Sequence, residues 1–164
     1  MSAEEREAFR SNAEAKLTDP RFATRAQQAL QELDRQIAAE AAALSEHVRS
    51  LPMARRVIEA FRREPMTATQ QRLVRVLLDH PHSTSEQLTA AMGWDGQTWH
   101  MHFGMMCKDR EALLWPAEAA IRRDSNFYSG ILAIFEDDRW WTIKPEVAEG
   151  LAELGIRPAK VGSK

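Results

Sequence analysis

The sequence has few of the features that mark a secreted or membrane protein. Cys107 is the single cysteine among 164 residues, so an internal disulfide is excluded, and this usage is typical of a reducing cytoplasm. Residues Met1–Arg6 are acidic and lack the apolar core of a signal peptide. No apolar run approaches the roughly 18 residues that a membrane-spanning helix needs. We therefore expect a cytoplasmic protein without a membrane partner.

A strong charge of either sign is also missing. The net charge of −2 gives no global field that would attract nucleic acid. Residues 53–82 form the one basic zone, with six arginines against three acidic residues. A patch of this size carries enough charge to contact phosphates. The alternative, which stays open at this point, is a solvated helix face whose arginines pair with neighbouring glutamates.

The motifs of catalysis are absent as well. The sequence contains no phosphate loop, nucleophile elbow or dinucleotide fingerprint. His80, His82, His100 and His102 together with Cys107 lack the regular ligand spacing of zinc sites. Nothing near Cys107 in the sequence marks an activated thiol. We therefore expect no enzymatic activity, no metal site and no cofactor.

Residues 1–64 predict a helical arm. No glycine or proline occurs between Arg21 and Ser50, and apolar residues recur every three or four positions, which predicts one long amphipathic helix. Its narrow, alanine-rich stripe either packs on neighbouring helices or forms a short coiled coil. We predict the coiled coil, and with it a homodimer. The residues predicted at the dimer interface are Leu30, Leu33, Ile37, Leu44 and Val48.

Cap signals place shorter helices on both sides of the long one. Ser2 and Glu5 have the spacing of a capping box, which predicts a helix that starts at the third residue. Asp19 followed by Pro20 predicts the N-cap and first position of the long helix. The apolar residues of Met53–Arg63 predict a further short helix at the end of the arm.

Residues 65–157 predict three short helices, a hairpin and one more helix. Thr67 and Ser83–Ser85 are N-cap signals for the first two helices, and Gly93 is a left-handed C-cap signal for the second. The third helix is predicted over Gln97–Lys108. Two helices joined by a glycine-containing turn, with a third helix and a hairpin behind them, are typical of a winged helix-turn-helix.

The hairpin, or wing, follows the third helix. We predict a helical turn over Ala117–Arg123, a strand over Phe127–Phe135 and a return strand over Trp140–Ile143. Glu136–Arg139 forms the polar turn between the strands. Pro145 then opens the last helix at its first position.

Three stretches carry a family resemblance: Gly93-Trp94, Met101–Gly104 and Trp140–Leu151. With them the chain resembles the winged-helix domain that precedes the HNH nuclease domain in some bacterial restriction-type endonucleases. The resemblance covers Thr67–Ile156 and implies a domain associated with DNA transactions. It does not imply nuclease activity, because no HNH motif follows and Met105 stands where the family has a basic residue.

These patterns predict a mainly α-helical, dimeric winged-helix protein that binds double-stranded DNA as a non-enzymatic regulator. Arginines of the basic zone would contact phosphates, the third helix would enter the groove and the wing would reach the adjacent backbone. The predicted phosphate contacts of the basic zone are Arg55, Arg56, Arg72 and Arg75. The predicted groove contacts of the third helix are Gln97, Thr98, His100 and Lys108. The predicted backbone contact of the wing is Arg139.

The composition of the third helix also supports a second function. The predicted helix contains no arginine and is apolar on more than one side, so it is a poor reader of base edges. Such a helix favours a protein partner. The alternative prediction is therefore an interaction module, such as a phage or mobile-element inhibitor of a host defence system of the anti-CRISPR or anti-restriction kind. Residues 158–164 are predicted to form a flexible tail.

Overall fold

A computed structural model describes residues 1–95, 98–120 and 126–159, and its fold is mainly helical. The α-helices are α1 (Ala3–Ala15), α2 (Ala23–Ser50), α3 (Met53–Arg63), α4 (Ala68–Asp79), α5 (Ser85–Ala91), α6 (Trp99–Asp109) and α7 (Pro145–Glu153). Two strands, β1 (Ala133–Glu136) and β2 (Trp140–Ile143), form a small antiparallel sheet. The prediction of a mainly α protein with a two-stranded hairpin is confirmed. Within the described residues, no helix combines the length and apolar character needed to cross a membrane.

The chain divides into two compact units, Met1–Glu46 and His47–Lys164. The division lies inside α2, whose last turn belongs to the second unit. The sequence predicts α3 as the end of the helical arm, but α3 packs against α7 in the second unit. The close approach of Gly150 in α7 to Ala54 and Val57 in α3 makes this contact tight.

Within the first unit, α1 and α2 run antiparallel to each other. Arg10 pairs with Asp34 at 2.6 Å. Arg6, one turn earlier in α1, pairs at 2.5 Å with Glu40, further along α2. Residues nearer the start of α1 therefore pair with residues further along α2, which is the pattern of a hairpin of two antiparallel helices.

Local caps set the helix ends of the first unit. The Ser2 hydroxyl accepts from the Glu5 amide at 3.2 Å and the Ser2 amide donates to Glu5 Oε2 at 2.6 Å, which confirms the predicted capping box. The predicted N-cap at Asp19 is wrong. Its carboxylate accepts from the Arg21 amide at 3.0 Å and pairs with the Arg21 guanidinium, so it forms a local turn, and α2 begins after that turn at Ala23.

In the second unit, α6 is fixed against α4 and α5 by its first residue. The Trp99 amide donates to the Thr89 hydroxyl at 3.2 Å, and the Trp99 indole donates to the Leu73 carbonyl at 3.1 Å. The indole also stacks on Phe103, with ring centres 4.7 Å apart. Gly93 ends α5 with a φ of +75°, which confirms the predicted left-handed cap.

The hairpin pairs β1 with β2 in antiparallel register, with Ala133 opposite Ile143. Asp137 and Asp138 have φ values of 50° and 53°, as a tight hairpin turn between twisted strands requires. The bounds of β2 confirm the predicted return strand. An isolated antiparallel bridge joins Ser83, before α5, to Trp141 in β2.

The predicted strand over Phe127–Phe135 is wrong in its first half. The segment Tyr128–Ile131 forms a 3-10 turn, and β1 starts only at Ala133. Ile131, Leu132 and Ala133 are consecutive and all buried. A turn can direct consecutive side chains into one core, whereas a strand directs them to opposite faces. The run of apolar residues therefore reflects burial and not a long strand.

The start of α6 lies two residues later than predicted. Trp99 is its first residue, and Thr98 is the N-cap but makes no capping bond with its side chain. Gln97, the predicted first residue, lies outside the described residues. Residues 160–164 of the predicted tail also lie outside them.

The predicted helical turn over Ala117–Arg123 is wrong for the part that the structure describes. The Ala117 amide donates to the carboxylate of Glu111 at 2.8 Å. Ala119 forms an isolated antiparallel bridge with Asn126, which requires extended backbone. Residues 121–125 lie outside the described residues.

Candidate partner-binding surface

The outer side of α6 is apolar at its centre. Trp99, Phe103 and Met106 are buried on the inner side of this helix. Met101 and Met105 lie one helical turn apart on the outer side, with 65% and 57% of their surface exposed. Two long apolar side chains exposed at neighbouring positions form a surface that a partner can cover.

Aromatic and cationic side chains flank the methionine pair. The rings of Trp94 and His102 lie 5.0 Å apart, near the start of α6. Near its end, Lys108 Nζ lies 5.5 Å from the centre of the Tyr128 ring. We name these four residues, together with Met101 and Met105, the α6 face. The surface thus has an apolar centre with a cation at one end.

The residues predicted to enter a DNA groove do not form one surface. His100 is half-buried, and its Nδ1 lies 2.8 Å from the Ser85 hydroxyl of α5. Thr98 is also half-buried at the start of the helix. Lys108 is exposed and belongs to the α6 face. His100 was the histidine predicted to enter the groove, whereas His102 is the exposed histidine of this helix.

Three of the four arginines predicted to contact phosphate have partners within the protein, and Arg55 and Arg56 are the first two. Arg55 pairs with Glu153 of α7 at 3.3 Å. Arg56 is half-buried and donates to the backbone carbonyls of Leu51 and Leu114, both at 3.0 Å. Its guanidinium therefore holds loops in place, and contact with a phosphate would break these hydrogen bonds.

Arg72 and Arg75 remain accessible on α4. Arg72 donates from Nη2 to the Met92 carbonyl at 3.0 Å, which satisfies an unpaired group at the end of α5. Arg75 is exposed. Both line a small cleft that Asp79 also lines, so a carboxylate lowers the positive potential there.

The wing carries more acidic than basic charge. Arg139 lies with its guanidinium carbon 4.9 Å from the ring centre of Trp140. Trp140 also stacks on His82, with ring centres 4.6 Å apart and planes 15° from parallel. The adjacent turn contributes three exposed carboxylates, from Glu136, Asp137 and Asp138. A phosphate approaching Arg139 would meet these carboxylates.

Arg110 has a structural role that is absent from the sequence-based predictions. It is buried at the end of α6 and donates to the backbone carbonyls of Glu64, Pro65 and Met106 and to the side-chain oxygen of Gln70. The acceptor distances lie between 2.9 and 3.2 Å. The signal available in the sequence was an arginine that directly follows a mostly apolar helix.

The cysteine and histidines form no reactive or metal-binding group in the described part of the chain. Burial raises the pKa of the Cys107 thiol far above its ordinary value, so the thiol is protonated at neutral pH. Among residues 1–95, 98–120 and 126–159, no three potential metal ligands cluster.

The predicted dimer stripe on α2 is partly buried within the chain itself. Leu33 and Val48 are almost fully buried. Leu30, Ile37 and Leu44 keep part of their surface exposed. Two of the five side chains are thus already covered, which weakens this stripe as an interface, and dimerisation remains a prediction.

Comparison with known proteins gives no relative from which a role could be transferred. No protein-family model, curated protein or solved structure matches the chain.

Proposed function

We propose that the second unit is a winged helix-turn-helix module that acts by binding a protein partner through the α6 face. The observation that carries this proposal is the exposed methionine pair on the outer side of the third helix. The order α4, α5, α6 and hairpin supports the winged-helix assignment. The bridge between Ser83 and Trp141, which joins the hairpin to the segment before α5, supports it too.

A protein partner explains the chemistry of the α6 face better than a DNA groove. Methionine offers no hydrogen bond to a base edge, but it packs well on irregular apolar surfaces. Full burial of each methionine contributes about 1.5–3 kcal/mol. The acidic turn of the wing would also repel a phosphate backbone. The partner that fits is a protein with apolar side chains for Met101 and Met105 and a carboxylate for Lys108.

Site-specific crosslinking in the native host tests the proposal. A photoreactive amino acid at Met105 should trap one defined protein, and the same group at Glu149, an exposed position on α7, should not. The trapped band should disappear when Met101→Glu accompanies the label and should survive nuclease treatment. Capture that Met101→Glu leaves unchanged, or that nuclease removes, would contradict a protein-binding α6 face.

Double-stranded DNA is the second candidate partner. Its specific support is the exposure of His102 and Lys108 on the outer side of α6, together with Arg75 on α4. In this case a gel-shift assay on duplex DNA at low salt should show binding that weakens steeply with salt. The double variant Arg75→Ala with Lys108→Ala should bind less tightly, and Met101→Glu should then reduce binding through added negative charge. Binding indifferent to salt would exclude this candidate.

A further inference from the structure

The first unit contains an open groove between its two helices. The groove has a volume of about 640 Å³. Each helix lines it with residues at positions i, i+3, i+4 and i+7, which is the spacing of a single helix face. The lining residues are Phe9, Asn12 and Ala13 of α1 with its C-cap Lys16, and Arg25, Ala26 and Ala29 of α2 with Phe22, which directly precedes that helix. We name this set the hairpin groove.

The hairpin groove has an apolar floor, aromatic rims and a basic end. Ala13 and Ala26 are buried. Phe9 and Phe22 stand above them, with 42% and 43% of their surface exposed. Lys16, the C-cap of α1, and Arg25 of α2 are exposed. The small Ala13 and Ala26 at the bottom of the groove, between the large Phe9 and Phe22, leave space for a side chain from another helix.

The first unit buries little apolar surface within itself. All residues of Met1–Glu46 are described, and their buried apolar side chains are Ala13, Ala26 and Leu33. A unit of this size with two alanines in a core of three is poorly stabilised by burial alone. Covering the hairpin groove would bury the two phenylalanines and enlarge this core.

We infer that the hairpin groove is covered by the hairpin groove of a second copy, so that two helical hairpins form a four-helix bundle. A two-fold axis near the middle of α1 sets its two copies antiparallel. This arrangement places Phe9 over the partner's Ala13. The same axis sets Glu5 opposite the partner's Leu17, so the Glu5 carboxylate lies next to the partner's Lys16.

Charge complementarity selects a second copy as the occupant. The first two turns of α1 carry exposed Glu4, Glu5 and Glu7, whereas the end of the hairpin groove carries Lys16 and Arg25. Antiparallel approach brings the acidic start of each α1 to the basic end of the other groove. A parallel approach would place like charges together, so the charges also fix the orientation.

A charge-swap series on the full chain tests the interface. Sedimentation at concentrations up to about 100 µM should give a dimer for the wild type. Lys16→Glu and Glu5→Lys should each weaken the dimer at least tenfold, about 1.4 kcal/mol. The double variant should recover most of the loss, since both contacts are restored with reversed sign. Helicity by circular dichroism accompanies each variant because Glu5 also caps α1.

Cysteine crosslinking gives an independent measurement with a matched control. Asn12→Cys in the groove should be joined to its copy by a short bismaleimide, whereas Ser11→Cys, exposed on another side of α1, should not. The native Cys107 is buried and does not compete. A monomer throughout the concentration range, equal crosslinking at both positions, or a double variant weaker than both single variants would overturn the inference.

Discussion

Arg110 shows how a buried charge is accommodated without a carboxylate. Its guanidinium lies 5.0 Å from the centre of the Phe61 ring and otherwise faces backbone and amide oxygens. Carbonyl dipoles and the aromatic face compensate for lost water at each donor. Since these oxygens belong to the α3–α4 connection and the start of α4, one side chain fixes α6 to the preceding helices.

Replacing this arginine should destabilise the second unit strongly. Arg110→Ala removes the charged donor and leaves a cavity beside Phe61, so we expect a loss of about 2–4 kcal/mol in the free energy of unfolding. Arg110→Lys keeps the charge but loses the planar set of guanidinium donors, so its loss in the free energy of unfolding should be about half of that of Arg110→Ala. Urea unfolding measures both, with the exposed Arg62→Ala as control, which should stay within about 0.5 kcal/mol. A loss for Arg110→Ala no larger than the control's would contradict this role.

Cys107 should make stability fall at alkaline pH. Its pKa in the folded protein is raised by burial, while the unfolded chain has an ordinary thiol pKa of about 8.5. Below that value both states are protonated and the thiol has no effect. Above it only the unfolded chain loses the proton, so stability falls by up to about 1.4 kcal/mol per pH unit. The free energy of unfolding of the wild type, minus that of Cys107→Ala, should therefore be constant at pH 6–8 and fall above pH 9. A constant difference throughout would contradict the raised pKa.

At the scale of the elements, the contact between α3 and α7 depends on the lack of a side chain at Gly150. A Cβ added at Gly150 would lie 2.6 Å from the Ala54 carbonyl oxygen and 3.0 Å from the Val57 Cβ. Backbone cannot move away easily, so α7 would have to shift. At Gly104 in α6 the nearest atom would be the Ser129 hydroxyl oxygen at 3.0 Å, and a hydroxyl can rotate.

The two helical glycines should therefore respond differently to alanine. Gly150→Ala should cost about 1–3 kcal/mol through overpacking, despite the better helix propensity of alanine. Gly104→Ala gains about 1 kcal/mol in propensity, which offsets its tighter contact, so its stability should stay near that of the wild type. Thermal or urea unfolding compares them directly. Equal losses at the two positions would show that the α3–α7 contact is not the tighter one.

The helix ends could be predicted because their signals are local. The capping boxes at Ser2, Thr67 and Thr84 each involve residues three positions apart, and all three form. The 3-10 turn at Tyr128–Ile131 could not be predicted this way. Its apolar residues pack on α6, and the Ser129 hydroxyl donates to the His100 carbonyl across the fold. No sequence pattern within Tyr128–Ile131 distinguishes a buried 3-10 turn from a buried strand.

The surface chemistry was less predictable than the elements, since side-chain partners are distant in sequence. Arg56 was predicted to contact phosphate, but one acceptor of its guanidinium is the Leu114 carbonyl, 58 positions away. His100 was predicted to enter the groove, but its Nδ1 lies 2.8 Å from the Ser85 hydroxyl of α5, and His102 is exposed instead. The apolar character of this helix was visible in composition, and the structure places Met101 and Met105 on its outside.

At the scale of the whole molecule, the two compact units carry different spectroscopic reporters. All five tryptophans belong to the second unit. They are Trp94, Trp99, Trp115, Trp140 and Trp141. Helices occur in both units. Tryptophan fluorescence therefore follows unfolding of the second unit alone, whereas far-ultraviolet circular dichroism follows both.

If the hairpin groove joins two copies, the first unit should unfold in a concentration-dependent step that fluorescence does not detect. Dimerisation stabilises by mass action, so the midpoint of the circular dichroism change should rise with protein concentration. The fluorescence midpoint should move much less, because the buried tryptophans Trp99 and Trp141 belong to the core of the second unit. Lys16→Glu should lower the circular dichroism midpoint at a given protein concentration and leave the fluorescence midpoint unchanged. Coincident, concentration-independent transitions would mean that the two units unfold together and that the arm gains no stability from a second copy.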